Sequence, residues 1–403
     1  MKNWNDFSLP LHITQTDEYL KAFNKKVDYY YNQLNLLTSM SSLSKFKKEF
    51  TASLKKLKNQ QKLIGNAFNY YLKGRQQKSI EIVHKIIKDN KDILIHPIKK
   101  AYAFKGNSMY VDFEEELDEL YLVRGRIVEP HKELPAEEML HIPLNMRENV
   151  DTYRYSIPGV PGLYLSQNSY ILWNELRNPS LDQLTISNFD LKELLNENII
   201  DLSYYIELFY DALEHVETYQ LLDKQILSTI KTLRVIPLVI ACSVVYDNNS
   251  NRKFKVEYLF PQLLMQYLNS KCIGIAYRST RIQKGNLTSA NLAIPILDFV
   301  SRKKYGNIIK KIKVSDSLNI GYFNSFVFGN SELGILKKGN GPSAKSRGYV
   351  FSFNNLSSYF SFNTILPVLP APTYDNMVNY AHSLFYYFDE YLLFLKEVKN
   401  ISF

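Results

Sequence analysis

The chain has 403 residues, a length that exceeds one ordinary core and predicts a main domain with a smaller one beside it. Hydrophobic residues make up 45% and charged residues 22%, a balance that excludes a disordered chain and predicts a globular one. The formal net charge of +9 is uneven, because residues 21–110 hold 19 Lys and Arg against 5 Asp and Glu. That segment therefore carries +14, and the rest of the chain carries −5.

The first twenty residues are polar throughout, without an apolar leader, which predicts a cytoplasmic protein. The longest apolar run, from Val235 to Tyr246, contains Pro237 and is shorter than the roughly 20 residues that a membrane helix needs. It predicts a buried strand and no membrane contact. Cys242 and Cys272 form no CxxC pair and have no histidine cluster beside them, so no metal site is predicted.

The segment from Asp17 to about Leu94 lacks proline and repeats apolar residues at helical spacing, which predicts a helical region. Phe46, Phe50 and Phe68 fall at core-like positions in this pattern. The lysines between them are typical of the solvated face of amphipathic helices, and nucleic-acid contact is the alternative. We favour the solvated face and do not expect nucleic acid as a partner.

The helical pattern closes at His96 and Pro97, and an acidic stretch begins at Asp112. We therefore place a boundary near residue 107, with a lysine-rich helical N-terminal domain at 1–106 and a second domain at 107–403. Beyond the boundary, β-rich runs alternate with helical ones, which predicts an α/β or α+β fold.

Besides the strand at Val235–Tyr246, local patterns in the second domain predict three strands and four helices. The strands are Leu120–Val128, Leu163–Ser166 and Ile273–Tyr277. One helix starts at the candidate caps Asn168 and Ser169. The other helices cover about 203–220, Val256–Leu268 and a closing element at Asn376–Val398.

The common enzyme signatures are absent from the sequence. It contains no GxGxxG after a strand, no GxxxxGK[ST], no HExxH and no GxSxG, so the usual nucleotide-binding and hydrolase folds lose support. The seven histidines are scattered, without catalytic or metal-ligand spacing.

A block from residue 121 to 176 and two later segments carry a family resemblance. The block begins YLVRGRI and continues through EEMLHIPLNMRENVDTYRYSIPGVPGLYLSQNSYILWNEL, and the later segments are EYLFPQLL and GIAYRSTRIQKGNLTSANLAIP. They resemble the RES family, named for an arginine, a glutamate and a serine. The resemblance implies an ADP-ribosyltransferase-like fold and an enzyme that consumes NAD⁺ by hydrolysis or phosphorolysis, often as a toxin.

The resemblance assigns two arginines to the substrate site. The first matches Arg124, although Val123 replaces the family's usual tyrosine and leaves Arg126 as a competing candidate. The second matches Arg154 of RYSIPG. A guanidinium can grip two oxygens at once, so both arginines suit the pyrophosphate of NAD⁺.

The resemblance also assigns an aromatic residue, a carboxylate and a hydroxyl. Tyr164 would stack on the nicotinamide ring, and Glu175 would stabilise the oxocarbenium-like ribose that forms when the glycosidic bond breaks. Ser279 would hold the ribose or the carboxamide by a hydrogen bond. We count Glu175, Arg124 and Ser279 as catalytic, and NAD⁺ as the substrate, with no cofactor.

Each assignment has a structural alternative. Glu175 would be a solvated helix residue, Arg154 a turn-bracing ion pair, Tyr164 a core aromatic and Ser279 a turn former. Their joint occurrence in the order of the family favours the functional interpretation.

The leading hypothesis is a NAD⁺ glycohydrolase or phosphorylase that acts as a toxin or anti-phage effector. The alternatives are an ADP-ribosyltransferase that modifies a macromolecule and a non-enzymatic interaction protein with a degenerate RES-like domain. Because a free toxin of this kind would be lethal, we expect restraint by an antitoxin or regulatory protein, and we leave a homo-oligomer open.

Overall fold

The computed structural model describes residues 8–107, 117–247, 252–268, 271–282, 290–297, 304–323, 384–395 and 399–400, and over these residues the protein is α+β. The helices are α1 (Glu18–Leu37), α2 (Lys47–Leu72), α3 (Gln76–Asp89), α4 (Lys91–Leu94), α5 (Ile98–Asn107), α6 (Ser169–Glu175), α7 (Ile206–Glu214), α8 (Asp223–Thr232), α9 (Ile236–Cys242), α10 (Leu259–Met265) and α11 (Leu384–Leu395). The strands are β1 (Leu11–Ile13), β2 (Ile95–Pro97), β3 (Tyr121–Ile127), β4 (Gly162–Ser166), β5 (Leu184–Asp190), β6 (Asn198–Leu202), β7 (Val244–Tyr246), β8 (Gly274–Tyr277), β9 (Asn291–Pro295), β10 (Lys313–Val314), β11 (Leu318–Asn319) and β12 (Lys399–Asn400).

The N-terminal segment is helical, as its apolar spacing predicts. Phe46, Phe50 and Phe68 are buried, so the core positions predicted for these aromatics are confirmed. Helices α1–α3 share one hydrophobic core with α7–α10, and β2 pairs with β6. The predicted boundary adjoins residues 108–116, which lie outside the described ranges, and the division into two domains stays a prediction.

The apolar run from Val235 to Tyr246 forms α9 and β7, so the prediction of a single strand is wrong. Pro237 lies in the first turn of α9, where its missing N–H removes no helical hydrogen bond. Within the described residues, one helical stretch, residues 223–242, is long and apolar enough to span a membrane, and most of it is buried in the core.

The described strands, β1 and β7 apart, form one sheet in the order β12-β10-β5-β3-β4-β9-β8-β6-β2, with β11 also paired to β5. β3 pairs with β5 along its whole length, and β4 pairs with β9 along its whole length. In contrast, β3 and β4 meet only at Val123 and Ser166 among the described residues. Ladder pairing between the two strands stops at that pair, and we call the unpaired place beside it the strand gap.

The two faces of the sheet are covered differently. Because side chains alternate along a strand, Leu163 and Leu165 face a cluster that includes α5 on one side, while Tyr164 faces the other side. That other side carries two clusters. The N-terminal helices and α7–α10 cover one part, around Ile275, and α6 and α11 cover the other, around Val123. The seam between these two clusters holds the candidate site.

Candidate active site

Tyr164 lies on β4, against the cluster of the N-terminal helices. Its hydroxyl donates to the carbonyl of Tyr155 at 2.8 Å, and its ring meets the ring of Tyr153 edge-on at 5.3 Å between centroids. A Cβ atom at Gly162 would come within 2.9 Å of the Tyr164 ring, so the glycine leaves room for that ring. Burial raises the pKa of Tyr164, and the phenol therefore stays neutral.

Glu175 is the last residue of α6, and local signals fix both ends of this helix. Asn168 caps the start, since its side chain accepts a hydrogen bond from the Ile171 N–H at 2.9 Å. Just beyond the helix, Arg177 and Asn178 adopt left-handed φ values of 66° and 55°, which turn the chain away. The predicted helix start is confirmed, and the carboxylate stands at the helix end.

The helix packs closely on β3 because Gly125 has no side chain. A Cβ atom there would lie 2.9 Å from Cδ2 of Leu172. Leu172 and Trp173 belong to the cluster around Val123, and Glu175 follows them at its edge. The position at the edge of the apolar stripe, predicted from the spacing, matches this packing.

Two side chains that the sequence did not single out contact the Glu175 carboxylate. Asn291 of β9 donates from Nδ2 to Oε1 at 2.8 Å, and the Arg281 Nε lies 3.7 Å from Oε2. The Glu175 side chain is 26% exposed, so the carboxylate is partly shielded from water. Burial, and then the charge of Glu175, raise the pKa of Tyr277, which faces Asn291 across the β8–β9 pair. Both contacts join residues that are far apart in the sequence, so no local sequence pattern predicts them.

Arg124 follows the residue at which β3 and β4 separate. Its side chain is half-buried, and Nη1 is buried without a hydrogen-bond partner among the described residues. The hydroxyl of Ser187, its neighbour on β5, is likewise unpaired there. Burial, and then the charge of Arg126, lower the pKa of Arg124 to about 10, so it stays charged at neutral pH. Its charge in turn lowers the pKa of Tyr164, which lies across the strand gap, against the larger effect of burial.

Arg126, the competing candidate, is more fully engaged. Its Nη2 donates to the carbonyl of Leu140 at 2.9 Å, while its Nε is buried without a partner in the described part of the chain. The contact with Leu140 ties Arg126 to the segment that follows β3. Arg124 therefore has more donor capacity left for a ligand.

Arg154 has a different environment. Its Nη1 lies within hydrogen-bond distance of three backbone carbonyls, at 2.8 Å from Val244, 3.2 Å from Glu257 and 3.3 Å from Cys242. The guanidinium also lies over the ring of Tyr258, 5.4 Å from its centroid. These contacts join α9, β7 and residues 256–258. They match the bracing alternative, through hydrogen bonds to carbonyls instead of an ion pair, while the assignment to pyrophosphate stays a prediction.

Ser279 is buried, and its Oγ accepts a hydrogen bond from the backbone N–H of Arg281 at 3.2 Å. This is the contact of a turn-forming serine. The turn carries Arg281 to the carboxylate of Glu175. Ser279 thus lies next to the site and acts, in the contacts seen here, through the backbone of its own loop.

The structure brings Tyr164 and Glu175 to the seam. Arg124 alternates with Val123 along β3 and so starts on the other face of the sheet, and its charge acts on Tyr164 across the strand gap. The pKa effects connect Tyr277 with both Glu175 and Tyr164. The described residues contain no group of three or more His, Cys, Asp or Glu arranged to hold a metal ion. The site therefore offers a carboxylate, neutral phenols, an amide and a guanidinium.

Comparison with known proteins gives one partial similarity. No protein-family model matches the chain, and no solved structure matches it. The chain is 29% identical over 168 residues to the curated protein described as "Putative toxin YopC" from Bacillus subtilis (strain 168). The match covers 40% of this chain and 37% of that protein, so it spans little more than a third of the relative's length.

Proposed function

We propose that the protein is a toxin that degrades NAD⁺ by breaking the bond between nicotinamide and ribose, with water or phosphate as the acceptor. The observation that carries the proposal is the Glu175 carboxylate, which Asn291 holds at 2.8 Å on a sheet face lined by tyrosines. The partial similarity to a protein described as a putative toxin supports the biological role.

Glycosidic cleavage of NAD⁺ needs a negative charge near the ribose. The nicotinamide leaves as a neutral ring, and positive charge develops on the sugar as in glycoside hydrolysis. A preorganised carboxylate in a partly dehydrated site stabilises that charge more than it would in water. Glu175, fixed by Asn291 and 26% exposed, has these properties.

The same substrate needs a cation for its pyrophosphate. A guanidinium offers planar donors that bind two oxygens at once, and charge-assisted bonds of this kind are among the strong ones. Arg124 has a buried donor without a partner in the described residues, and no carboxylate there forms an ion pair with it. An anion at this place would offset the cost of burying the charge.

Tyr164 supplies the remaining element, an aromatic ring held in a fixed position. Its hydroxyl is anchored on the Tyr155 carbonyl, which leaves the ring as a rigid apolar surface for the nicotinamide. Such a ring orders a flat ligand at a small cost in side-chain entropy.

The test is an assay of the purified full chain with NAD⁺, in buffers with and without phosphate. We expect free nicotinamide in an amount that matches the NAD⁺ consumed. ADP-ribose as the second product identifies water as the acceptor, and its 1-phosphate identifies phosphate. Label from adenine-labelled NAD⁺ on a macromolecule would identify a transferase instead. The absence of nicotinamide under all these conditions contradicts the proposal.

The proposal keeps the expectations of a cytoplasmic location and of an antitoxin or regulatory partner. Both follow from the chemistry, because the substrate is a cytoplasmic metabolite and its destruction has to be restrained in the producing cell. Co-expression that rescues growth of a host carrying the wild-type chain would identify such a partner.

A further inference from the structure

Asn291 lies in the middle of the sheet, where a polar side chain needs partners. It occupies β9 between β4 and β8, facing Ser166 and Tyr277 in the two registers, and it is 1% exposed. Cross-strand neighbours share a face of the sheet, so Asn291 belongs to the face that also carries Tyr164. A buried amide has both a donor end and an acceptor end to satisfy.

The donor end is satisfied by Glu175. Nδ2 of Asn291 donates to Oε1 of the carboxylate at 2.8 Å. Because a carboxylate oxygen only accepts hydrogen bonds, this contact requires the NH₂ group of Asn291 to face Glu175. The orientation of the amide follows from its chemistry.

The acceptor end has no partner among the described residues. Oδ1 of Asn291 is buried and makes no hydrogen bond in the described part of the chain. An unpaired buried acceptor is costly to a fold, and in native proteins such an atom commonly marks a place where a water, an ion or a ligand group binds. Since Oδ1 and Nδ2 share one carbon atom, that group would lie directly beside the Glu175 carboxylate.

We propose that Asn291 binds the ribose of the substrate through a hydrogen bond, an inference that rests on the proposed function. Its Nδ2 is a positioning group that holds the Glu175 carboxylate, and its Oδ1 accepts a hydrogen bond from a ribose hydroxyl next to the bond that breaks. A hydroxyl is the donor that a nucleotide presents beside the glycosidic carbon. One amide thus fixes the carboxylate and the sugar relative to each other.

The kinetic test compares two variants of Asn291 with a matched control. Asn90 is also a buried asparagine, 3% exposed, whose Nδ2 donates to the carbonyl of Ile86 in the helical region. We expect Asn291→Ala to lower kcat about 100-fold, because a catalytic group that is misplaced by about 1 Å loses that much. We expect it also to raise KM about tenfold, since one hydrogen bond to the substrate is lost. Asn90→Ala should keep both constants.

Asn291→Asp separates the two roles and keeps the shape of the side chain. It retains an acceptor oxygen for the ribose but places a second carboxylate oxygen against Glu175, so kcat should fall while KM stays near the wild-type value. Thermal unfolding of each variant shows whether it is folded. This nearly isosteric change keeps the test valid even where Asn291→Ala does not fold.

A binding measurement tests the ribose contact without turnover. In a Glu175→Gln background, adding Asn291→Ala should weaken NAD⁺ binding about tenfold by calorimetry. Wild-type release of nicotinamide with unchanged constants in both Asn291 variants overturns this inference alone. Equal NAD⁺ binding with and without Asn291→Ala overturns the ribose contact. No release of nicotinamide by the wild type overturns the proposed function and this inference with it.

Discussion

The strand gap contains Arg124, and the place where α9, β7 and residues 256–258 meet, which we call the junction, contains Arg154. The two arginines differ in whether their Nη1 donors have partners. Arg154 directs its Nη1 at the carbonyls of Val244, Glu257 and Cys242, which belong to separate segments of the chain. Arg124 has a buried Nη1 that meets no partner among the described residues. A guanidinium that is already satisfied stabilises the fold, whereas one left unsatisfied has donors to give to a ligand.

This difference divides the residues that the family resemblance assigns to NAD⁺ into a group expected to act on the substrate and a group expected to stabilise the fold. The gap and the adjoining seam, with Arg124, Tyr164 and Glu175, should respond to substitution mainly through activity. The junction, with Arg154, should respond mainly through stability. The following substitutions test that division, beginning with the largest expected effect.

Glu175→Gln should lower the rate of nicotinamide release about 10²- to 10³-fold, the usual cost of one preorganised electrostatic contact to a transition state. The substitution keeps an oxygen that accepts from Asn291, and it removes the charge together with the second acceptor oxygen, which lies near Arg281. Steady-state release measures the effect, and thermal unfolding should show little change. A folded variant with a near wild-type rate would show that Glu175 does not take part in catalysis and that the seam is not the active site.

Arg124→Lys should raise KM for NAD⁺ about 10- to 100-fold, because a hydrogen bond to a charged group contributes about 1.5–3 kcal/mol. An ammonium group cannot reproduce two parallel bonds to a pyrophosphate. We expect a smaller change in kcat, measured under saturating NAD⁺. Unchanged KM in a folded Arg124→Lys variant would show that the unpaired donor at the gap has no substrate role.

Arg154→Lys should lower the free energy of unfolding by about 1–3 kcal/mol, because the shorter lysine side chain does not place its donors where Nη1 meets the three carbonyls. Activity per folded molecule should change less than in the Arg124 variant. Denaturant unfolding, compared with Arg124→Lys as the matched control, measures the difference. A stable Arg154→Lys variant with a large rise in KM would break the comparison and restore the pyrophosphate role.

Local patterns predicted much of the fold and part of this division. The N-terminal helices, β3, β4 and β8, and the capped start of α6 each follow from spacing or from a capping residue within a few positions. The buried run at Val235–Tyr246 did not follow, because a continuous apolar stretch fits a buried helix as well as a strand. Part of the predicted closing helix is described as α11, and residues 376–383 and 396–398 of that prediction lie outside the described ranges.

The polar partners of the candidate site were beyond the reach of local patterns. Asn291 meets Glu175 across 116 positions, and the strand gap arises from a register between β3 and β4 that leaves no mark in either strand. The Nη1 contacts of Arg154 depend equally on the packing of distant segments. The residue types suggested the chemistry of the site, whereas the sheet register and the packing of distant segments determine which side chains contact each other.

Exposed lysines form a third class of cation, which we expect neither to stabilise the fold nor to bind a ligand. They serve as the reference for the two arginines. Lys55 and Lys56 of α2 are exposed, whereas Lys58 is half-buried and donates to Asp28 at 2.6 Å. Lys55→Gln combined with Lys56→Gln should change the free energy of unfolding by less than about 0.5 kcal/mol and leave nicotinamide release unchanged. We also expect no tight binding of mixed-sequence DNA or RNA by the wild type near physiological salt.

A titration with DNA and RNA at several salt concentrations checks the second part, because binding through phosphates weakens steeply as salt rises. Lys58→Gln serves as the control, since it breaks a half-exposed ion pair and should cost no more than about 1 kcal/mol of stability. Micromolar binding that the double variant abolishes would show that this face is a nucleic-acid surface. In that case, turnover measured with and without the nucleic acid would decide whether the +14 of residues 21–110 regulates the site on the sheet.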